Sequence, residues 1–347
     1  MVGPDRGVHG GISAVVNEFY DAGLGEKIDL EYIGTMKEGS RFNKLIVAGC
    51  AFLRFLAALP SADVVHVHFS SDSSFIRKSY FIKAAHRRGK RIVLHQHGGD
   101  FKNYYGKELD SRGRKRVKDT LEMGDVMLVL TQSWKDFFGE IIDPERIVVF
   151  PNGVKTSDYA ASENVDKDYN KILFLGRICR DKGIGELLEA VSRIHESGRD
   201  VQLLVGGIFE DQEYKKKIAA RGDFVKYLGW VSGAEKDKYL KECGILALPS
   251  YYEGFGIVVI EAMLRRSAVV ASCVGGIPDI IDDGTDGLLV PVKDSVALEE
   301  AILKLIDDNK LAKELGKNGQ KKVLENYSVE ENIKRLMEIY SKLSTTN

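Results

Sequence analysis

Short apolar segments rich in Val and Ile alternate along the chain with longer segments whose apolar positions recur with the period of a helix. This alternation is typical of βαβ units, in which helices cover a parallel sheet. The first series predicts strands at Asp29–Ile33, Val64–His68, Arg91–His95, Val126–Leu130 and Ile147–Phe150. The second series predicts strands at Lys171–Leu175, Gln202–Val205, Val225–Leu228, Ile245–Leu248, Ala268–Ala271 and Gly287–Val290. We therefore predict an α/β protein with two Rossmann-like, doubly wound parallel-sheet domains.

A polar stretch without apolar periodicity, residues 155–170, separates the two series and is interpreted as a linker. The N-terminal domain is then expected over residues 1–154 and the C-terminal domain over residues 171–326, facing each other across a cleft. The length of 347 residues agrees with two domains. Residues 327–347 begin with a capping box and continue as an amphipathic helix.

The beginning of the chain is unusual for such a domain. Only Met1-Val2-Gly3 precedes Pro4, where a first strand normally leads into a glycine loop. We expect this first strand to be short or absent, which makes the stability of the N-terminal domain an open question.

Composition and cysteine spacing restrict the class of protein. A hydrophobic content of 44%, with 29% charged residues, describes a globular chain rather than a fibrous or disordered one. The four cysteines form no C-x-x-C pair, so neither a disulfide framework nor a zinc site is indicated. A reducing cytoplasm fits best, and no secretory signal pattern or uninterrupted apolar stretch of bilayer length is recognised in the sequence.

A glycine-rich segment with two acids follows the predicted strand Ile245–Leu248. Its glycines, Gly254 and Gly256, allow a tight turn, and the free amides of the helix that follows favour a phosphate. Carboxylates such as Glu253 and Glu261 suit hydroxyl groups instead. The alternative is an ordinary glycine turn with two surface acids. The β-branched run before Glu261 favours burial of that helix, and a buried acid would need a partner.

A second loop carries two cations after the predicted strand Lys171–Leu175. Arg177 and Lys182 lie within Gly176–Gly183, where a guanidinium fork and an ammonium could bind a diphosphate. The spacing matches neither a Walker A loop nor G-x-G-x-x-G. Surface charge without function is the alternative for this loop.

Together these motifs resemble the retaining glycosyltransferases of family 4, also called group 1 glycosyltransferases, which have the GT-B fold. The resemblance rests on Gly176-Arg177 with Lys182-Gly183, on Glu253-Gly-Phe-Gly with Glu261, and on Gly275-Gly276-Ile277-Pro278. It implies a hexosyltransferase of the EC 2.4 class that takes a sugar from a nucleotide-sugar donor. The acceptor implied is a glycan or lipid-linked glycan, in surface polysaccharide or glycolipid assembly.

The resemblance implies that the helix of residues 327–347 crosses back to the N-terminal domain, and it also implies roles for individual residues. Arg177 and Lys182 are similar to the pair that holds the donor diphosphate, Glu261 to the acid that binds the ribose, and Glu253 to the acid beside the transferred sugar. The remaining donor contacts that it implies are Trp230 and Val231 near the base, and the amides of Phe255, Gly256 and Ile257 near sugar and phosphate.

In the N-terminal domain the resemblance implies that Gly10 and Gly11 lie near the diphosphate and that His97 lies near the donor sugar. The choice of histidine stays open, because His95 precedes it by two residues. His66 and His68 form a second such pair, for which buried strand positions with polar partners are the expectation.

The chemistry implied is direct attack by an acceptor hydroxyl with retention of configuration. The resemblance implies neither a metal nor another cofactor. Two alternatives stay open: a GT-B sugar-nucleotide 2-epimerase, for which Asp100 is the one evident acid/base candidate, and a non-catalytic sugar-nucleotide-binding protein.

A strongly basic region indicates an anionic partner. Residues 71–118 contain 14 basic and 4 acidic side chains, although the whole chain has a net charge of −1. Within residues 74–91, basic and aromatic side chains alternate, as in helices that lie on anionic membranes. We expect peripheral contact with a membrane through residues 74–118, at the inner face of the plasma membrane, and no nucleic-acid binding. A solvated basic surface is the alternative.

Overall fold

The structure is a computed structural model that describes residues 1–8, 10–157, 159 and 166–345, without the side chains of Arg41 and Phe42. The chain divides into two compact units. Unit 1 comprises Met1–Lys155 together with Ser328–Asn347, and unit 2 comprises Thr156–Tyr327.

Unit 1 contains a six-stranded parallel sheet in the order β2-β1-β3-β4-β5-β6. Its strands are β1 (Val2–Gly3), β2 (Ile33–Gly34), β3 (Val64–Phe69), β4 (Arg91–Gln96), β5 (Val126–Val129) and β6 (Ile147–Val149). Its helices are α1 (Gly11–Asp21), α2 (Leu24–Lys27), α3 (Arg41–Ala58), α4 (Asp72–His86), α5 (Phe101–Asn103), α6 (Ser111–Leu121), α7 (Gln132–Gly139) and, after unit 2, α14 (Val329–Thr345). The strand β3 is buried at five of its six residues, as expected of a parallel strand covered on both faces.

The first strand is present but only two residues long, and it lies between β2 and β3. The strand β2 pairs with both residues of β1, Val2 with Ile33 and Gly3 with Gly34. Its extent is therefore limited to Ile33–Gly34. The prediction of a strand over Asp29–Ile33 was therefore wrong. Tyr32, inside that predicted range, instead donates its hydroxyl to the carbonyl of Pro4 at 2.6 Å.

The last helix packs on unit 1. Its N-terminus is bound through the amide of Val329, which donates to the carbonyl of Val154 at 3.0 Å. Asn332 donates to the carbonyl of Pro151 at 2.8 Å. Gly153 allows this approach, because a Cβ there would lie 2.7 Å from the amide nitrogen of Val329.

Unit 2 contains a second six-stranded parallel sheet, in the order β12-β11-β10-β7-β8-β9. Its strands are β7 (Asp168–Leu175), β8 (Gln202–Gly206), β9 (Val225–Gly229), β10 (Cys243–Leu248), β11 (Ala268–Ser272) and β12 (Leu288–Val290). Its helices are α8 (Ile184–Glu196), α9 (Glu213–Ala219), α10 (Gly233–Glu242), α11 (Ile257–Leu264), α12 (Ser295–Asp307) and α13 (Asn309–Asn326). All six residues of β10 are buried, which explains its uninterrupted apolar sequence.

The strand order of unit 2 reverses between β7 and β10. In doubly wound sheets, ligands bind outside the carboxyl ends of the strands at such a switch point. The loops after Leu175 and Leu248 leave the sheet there.

The predicted linker needs a correction at its end. Residues 158 and 160–165 of the linker lie outside the described residues. Asp168–Asn170, assigned to the linker, form the start of β7, because Asp168 pairs with Cys243 of β10. Pairing with a distant strand leaves no local apolar signal, so sequence periodicity placed the strand start too late.

Candidate active site

The loop that carries Arg177 and Lys182 joins β7 to α8 and packs against the loop after β10. Gly183 ends this loop in the left-handed region, at φ +67°. A Cβ at that position would lie 1.9 Å from the carbonyl oxygen of Pro249, so only glycine allows the two loops to approach. The amide of Tyr251 also donates to the carbonyl of Asp181, at 2.8 Å.

Lys182 and Glu253 are brought together by these two loops. The Nζ of Lys182 lies 2.5 Å from Oε2 of Glu253, and each side chain is less than one fifth exposed. The sequence predicted both residues as ligand contacts, one for phosphate and one for sugar. The structure places them as one ion pair at the switch point of the sheet.

Glycines after β11 hold the backbone of Glu253. The amide of Gly276 donates to the carbonyl of Glu253 at 3.1 Å. A Cβ on Gly275, whose φ is +57°, would lie 1.7 Å from that same oxygen. The Gly275-Gly276 motif therefore positions Glu253 by backbone contact rather than by a side chain.

Glu261 lies on α11 and is 9% exposed. Its Oε1 accepts a hydrogen bond from Nζ of Lys236 on α10 at 2.5 Å. The prediction that this acid is buried and needs a partner is confirmed. Glu253 and Glu261 each bind a different lysine, Lys182 and Lys236.

Arg177 forms a forked contact with Glu210, which follows β8. One guanidinium nitrogen, Nη1, donates to both carboxylate oxygens of Glu210 at 2.8 Å. Burial lowers the pKa of Arg177, but the hydrogen bond and charge of Glu210 outweigh this effect and raise it, with a smaller contribution from Glu253. Arg177 is thus near enough to Glu253 for their charges to interact, while its side chain stays 57% exposed.

The remaining donor contacts predicted in unit 2 lie on the same edge of the sheet. Trp230 follows β9 and is 46% exposed, whereas Val231 beside it is buried. Gly256 precedes α11 in the left-handed region, at φ +93°, and Ile257 is the first residue of that helix. The side chain of Phe255 is buried and packs against the ring of Tyr327. The contact expected of Phe255 with the donor is through its backbone amide.

In unit 1, Gly10 and Gly11 lie at the start of α1, where Gly10 is the N-cap. Both are exposed, and an added Cβ on either would meet no atom within 4 Å. Space alone therefore does not require glycine at these two positions.

The histidines of β3 and β4 form a stacked group on one face of the unit 1 sheet. His68 pairs in register with His95, and His97 lies just beyond the end of β4. The ring nitrogens of His66 and His95 lie 3.1 Å apart, and those of His68 and His97 lie 2.8 Å apart. The expectation of buried strand positions with polar partners is confirmed for His66 and His68. Of the two candidate histidines, His95 on β4 is fully buried, and His97 beyond the strand is partly exposed.

Burial lowers the pKa of all four imidazoles, that of His97 to about 3. Ring nitrogens of His66, His68 and His95 lie within 4.8 Å of one another, so these three side chains are close enough together to approach one metal ion. The amines of Met1 and Lys78 lie near enough to His68 to lower its pKa further.

Sequence reasoning missed two residues that the structure adds to the site, Lys236 and Glu210. Both lie on segments that follow β9 and β8 at the same sheet edge, but neither belongs to a recognised motif. The strand order β10-β7-β8-β9 is the signal that would have found them.

Comparison with family models places the chain among known proteins. Residues 156–322 match the model described as glycosyl transferases group 1, and residues 29–158 match glycosyltransferase family 4. The chain belongs to this glycosyltransferase family. The first match spans the ion pairs of unit 2, and the second spans the histidines of unit 1.

Individual relatives agree with this assignment. The chain is 30% identical over 256 residues to the alpha-maltose-1-phosphate synthase of Mycolicibacterium smegmatis, a match that covers 65% of each protein. The chain spans less than two thirds of the length of the curated relatives it matches, 64% and 65% for two of them.

Solved structures with low sequence identity share the fold. A sucrose-phosphate synthase of Thermosynechococcus elongatus superposes with a TM-score of 0.79 at 22% identity, covering 100% of this chain and 98% of the other. HepE of Anabaena, solved in complex with UDP and glucose, superposes with a TM-score of 0.75 at 18% identity and 98% coverage of both chains. The predicted fold class, two Rossmann-like parallel-sheet domains of GT-B type, is confirmed.

Proposed function

We propose that this family member is a retaining glycosyltransferase that transfers a sugar from a nucleotide-diphosphate donor to a hydroxyl of a glycan or glycolipid acceptor. The observation that carries the proposal is the ion pair of Lys182 with Glu253 at the switch point of the unit 2 sheet, beside Arg177. Two cations suited to a diphosphate, Arg177 and Lys182, therefore lie beside an acid suited to sugar hydroxyls, Glu253.

Binding of the donor diphosphate would use the two cations. Arg177 is more than half exposed, so its contact with Glu210 is a surface ion pair of small stability, about 0–1 kcal/mol. A diphosphate can replace Glu210 at low cost and accept hydrogen bonds from the guanidinium. Lys182 already lies on the same loop. The two cations together would stabilise the charge that develops on the departing nucleotide.

The acids would bind hydroxyl groups of the donor. The position of Glu253 is fixed by Lys182 and by the glycine contacts of its backbone. Its carboxylate would accept hydrogen bonds from hydroxyl groups of the transferred sugar. Glu261, fixed by Lys236, would accept hydrogen bonds from the ribose. The amides of Gly256 and Ile257 at the start of α11 add donors for phosphate or sugar oxygens.

The reaction follows from this arrangement. The acceptor hydroxyl attacks the anomeric carbon as the bond from sugar to phosphate breaks, on the face that preserves the configuration. The acceptor proton passes to the leaving phosphate oxygen, so sugar transfer releases the nucleoside diphosphate. The contribution of the protein is positioning together with charge stabilisation by Arg177 and Lys182. We propose that it needs no metal or other cofactor.

A donor screen tests the function. UDP-, GDP- and ADP-sugars are added to the purified chain, and both binding and slow hydrolysis are measured. We expect one base to bind and its sugar to be released with retained anomeric configuration, as followed by NMR. Release of an epimerised sugar by elimination would support the 2-epimerase instead, and binding without any turnover would support a sugar-nucleotide-binding protein.

A further inference from the structure

The helix α3 exposes apolar side chains to solvent. Leu45 is 72% exposed, Leu53 is 69% exposed and Ile46 is 49% exposed. The segment Asn43–Ser61 has a mean hydropathy of 1.6, and only 17% of its most apolar window is buried. A core helix of this composition would be mostly buried, so packing within unit 1 does not explain its sequence.

The neighbouring helix α4 extends the same apolar area. Ile76 is 53% exposed and Tyr80 is 62% exposed. Phe75, Phe81 and Ile82 of the same helix are buried, so they do not belong to this exposed area. The rings of Phe81 and Phe55 lie 5.1 Å apart and join α4 to α3. We name the exposed residues Leu45, Ile46, Leu53, Ile76 and Tyr80 the α3–α4 face.

Although α3 is long and apolar enough to cross a bilayer, its packing argues against a span. Ala51 and Phe55 are buried within unit 1, so one side of the helix is already covered by protein. A helix with one covered side and one apolar exposed side can lie in the plane of a membrane interface.

Basic side chains border the α3–α4 face. Arg88 of the turn after α4 donates to the carbonyl of Leu56 at 3.2 Å, and Lys90 donates to the carbonyl of Pro60 at 2.9 Å. These contacts place positive charge at the C-terminal end of α3. The helix α3 itself contains no Asp or Glu. The helix α6 packs next to α4, and its exposed residues include Arg112, Arg116 and Lys118.

We propose that the α3–α4 face binds the surface of a bilayer that contains anionic lipids, with the apolar residues of α3 inserted among the lipid headgroups. An apolar stripe bordered by lysine and arginine matches both layers of such an interface, the acyl boundary and the negative headgroups. The face is part of unit 1 and contains none of the donor-binding residues, so its membrane contact is independent of the sugar chemistry.

A second copy of this chain is the competing occupant. Two copies joined through this face would bring the basic borders of both chains together, and like charges at an interface oppose association. An anionic membrane meets the same borders with opposite charge. The charge pattern therefore favours lipid over self-association.

Flotation with vesicles tests the proposal on the full chain. Vesicles of phosphatidylcholine with phosphatidylglycerol are compared with vesicles of phosphatidylcholine alone. We expect the chain to float with the anionic vesicles, and substitution L45S/L53S to weaken this binding at least tenfold, on the order expected for losing two inserted leucines. Both leucines are largely exposed, so the double variant should keep its circular dichroism spectrum and melting temperature.

Matched variants distinguish insertion of the α3–α4 face from non-specific binding of exposed apolar residues to vesicles. I208S/V296S removes two exposed apolar residues of unit 2, at 41% and 56% exposure, and should leave vesicle binding unchanged. R112Q/R116Q, at exposed positions of the basic border, should weaken binding to anionic vesicles only. Equal flotation of L45S/L53S and the parent chain would overturn the proposal. Self-association that L45S/L53S abolishes, in a chain that does not float, would overturn it in favour of a second copy.

Discussion

Lys182 and Glu253 lie 71 residues apart in the sequence, and their side chains form an ion pair of 2.5 Å. The pair joins the loops after the two central strands of unit 2, β7 and β10. Together they place a cation and a carboxylate at the edge of the sheet where parallel sheets bind ligands.

Removal of either cation tests the proposed leaving-group role. We expect K182A or R177A to lower kcat by about 100-fold, the effect of losing one donor that stabilises transition-state charge. Steady-state kinetics with the donor found in the screen measure this loss. K321A, an exposed lysine with only a 4.0 Å contact to Glu325, is the matched control and should be fully active. Turnover of both variants within twofold of the parent would contradict the role.

The ribose role of Glu261 predicts a change in donor binding rather than in chemistry. E261Q should raise the donor Kd by roughly 10- to 100-fold, because a hydrogen bond to a charged group contributes about 1.5–3 kcal/mol, and should leave kcat nearly unchanged. Calorimetry with the ordinary donor and with its 2′-deoxyribose analogue measures the effect.

The analogue provides the control for this prediction. If Glu261 binds the 2′-hydroxyl, the deoxy donor should lose affinity in the parent chain and little more in E261Q. If E261Q instead lowers the affinity for the ordinary donor and for the deoxy donor by the same factor, Glu261 acts through the packing of α11 and its pair with Lys236.

The contact of Gly275 with Glu253 predicts an unusually costly glycine substitution. G275A should destabilise unit 2 by about 3–4 kcal/mol, because the left-handed backbone and an overpacked contact both oppose a side chain. G284A is the matched control, since its φ is +72° but an added Cβ meets no atom within 4 Å. It should cost about 1 kcal/mol. Urea unfolding compares them, and similar losses would contradict the proposed clash.

The buried histidines predict a loss of stability in acid. Their pKa values are lowered in the folded chain, so the unfolded chain binds protons first as the pH falls. Stability is therefore complete above the ordinary histidine pKa of about 6.5 and decreases below it, by up to about 1.4 kcal/mol per pH unit for each histidine. For His97 this decrease should continue down to its folded pKa of about 3.

Urea unfolding at a series of pH values between neutrality and mild acid measures this slope. H97Q should reduce it by about 1.4 kcal/mol per pH unit. A slope that H97Q leaves unchanged would show that His97 does not stay neutral in the fold.

Local sequence determined much of the architecture. Runs of Val and Ile located most strands, because a parallel strand covered on both faces must be apolar throughout. Glycines before helices located the loops of the site, and the buried helix around Glu261 required a partner for that acid. These features depend on residues close together in the chain, so composition and periodicity are sufficient to find them.

Tertiary structure decided which distant residues meet. The two residues of β1 form a strand only because β2 and β3 pair with them. Lys236 and Glu210 join the site through the strand order, and the register of β3 with β4 stacks the histidines. The exposure of α3 likewise depends on which side unit 1 covers. Local sequence carries no signal for such contacts, because they arise from pairing between segments far apart in the chain.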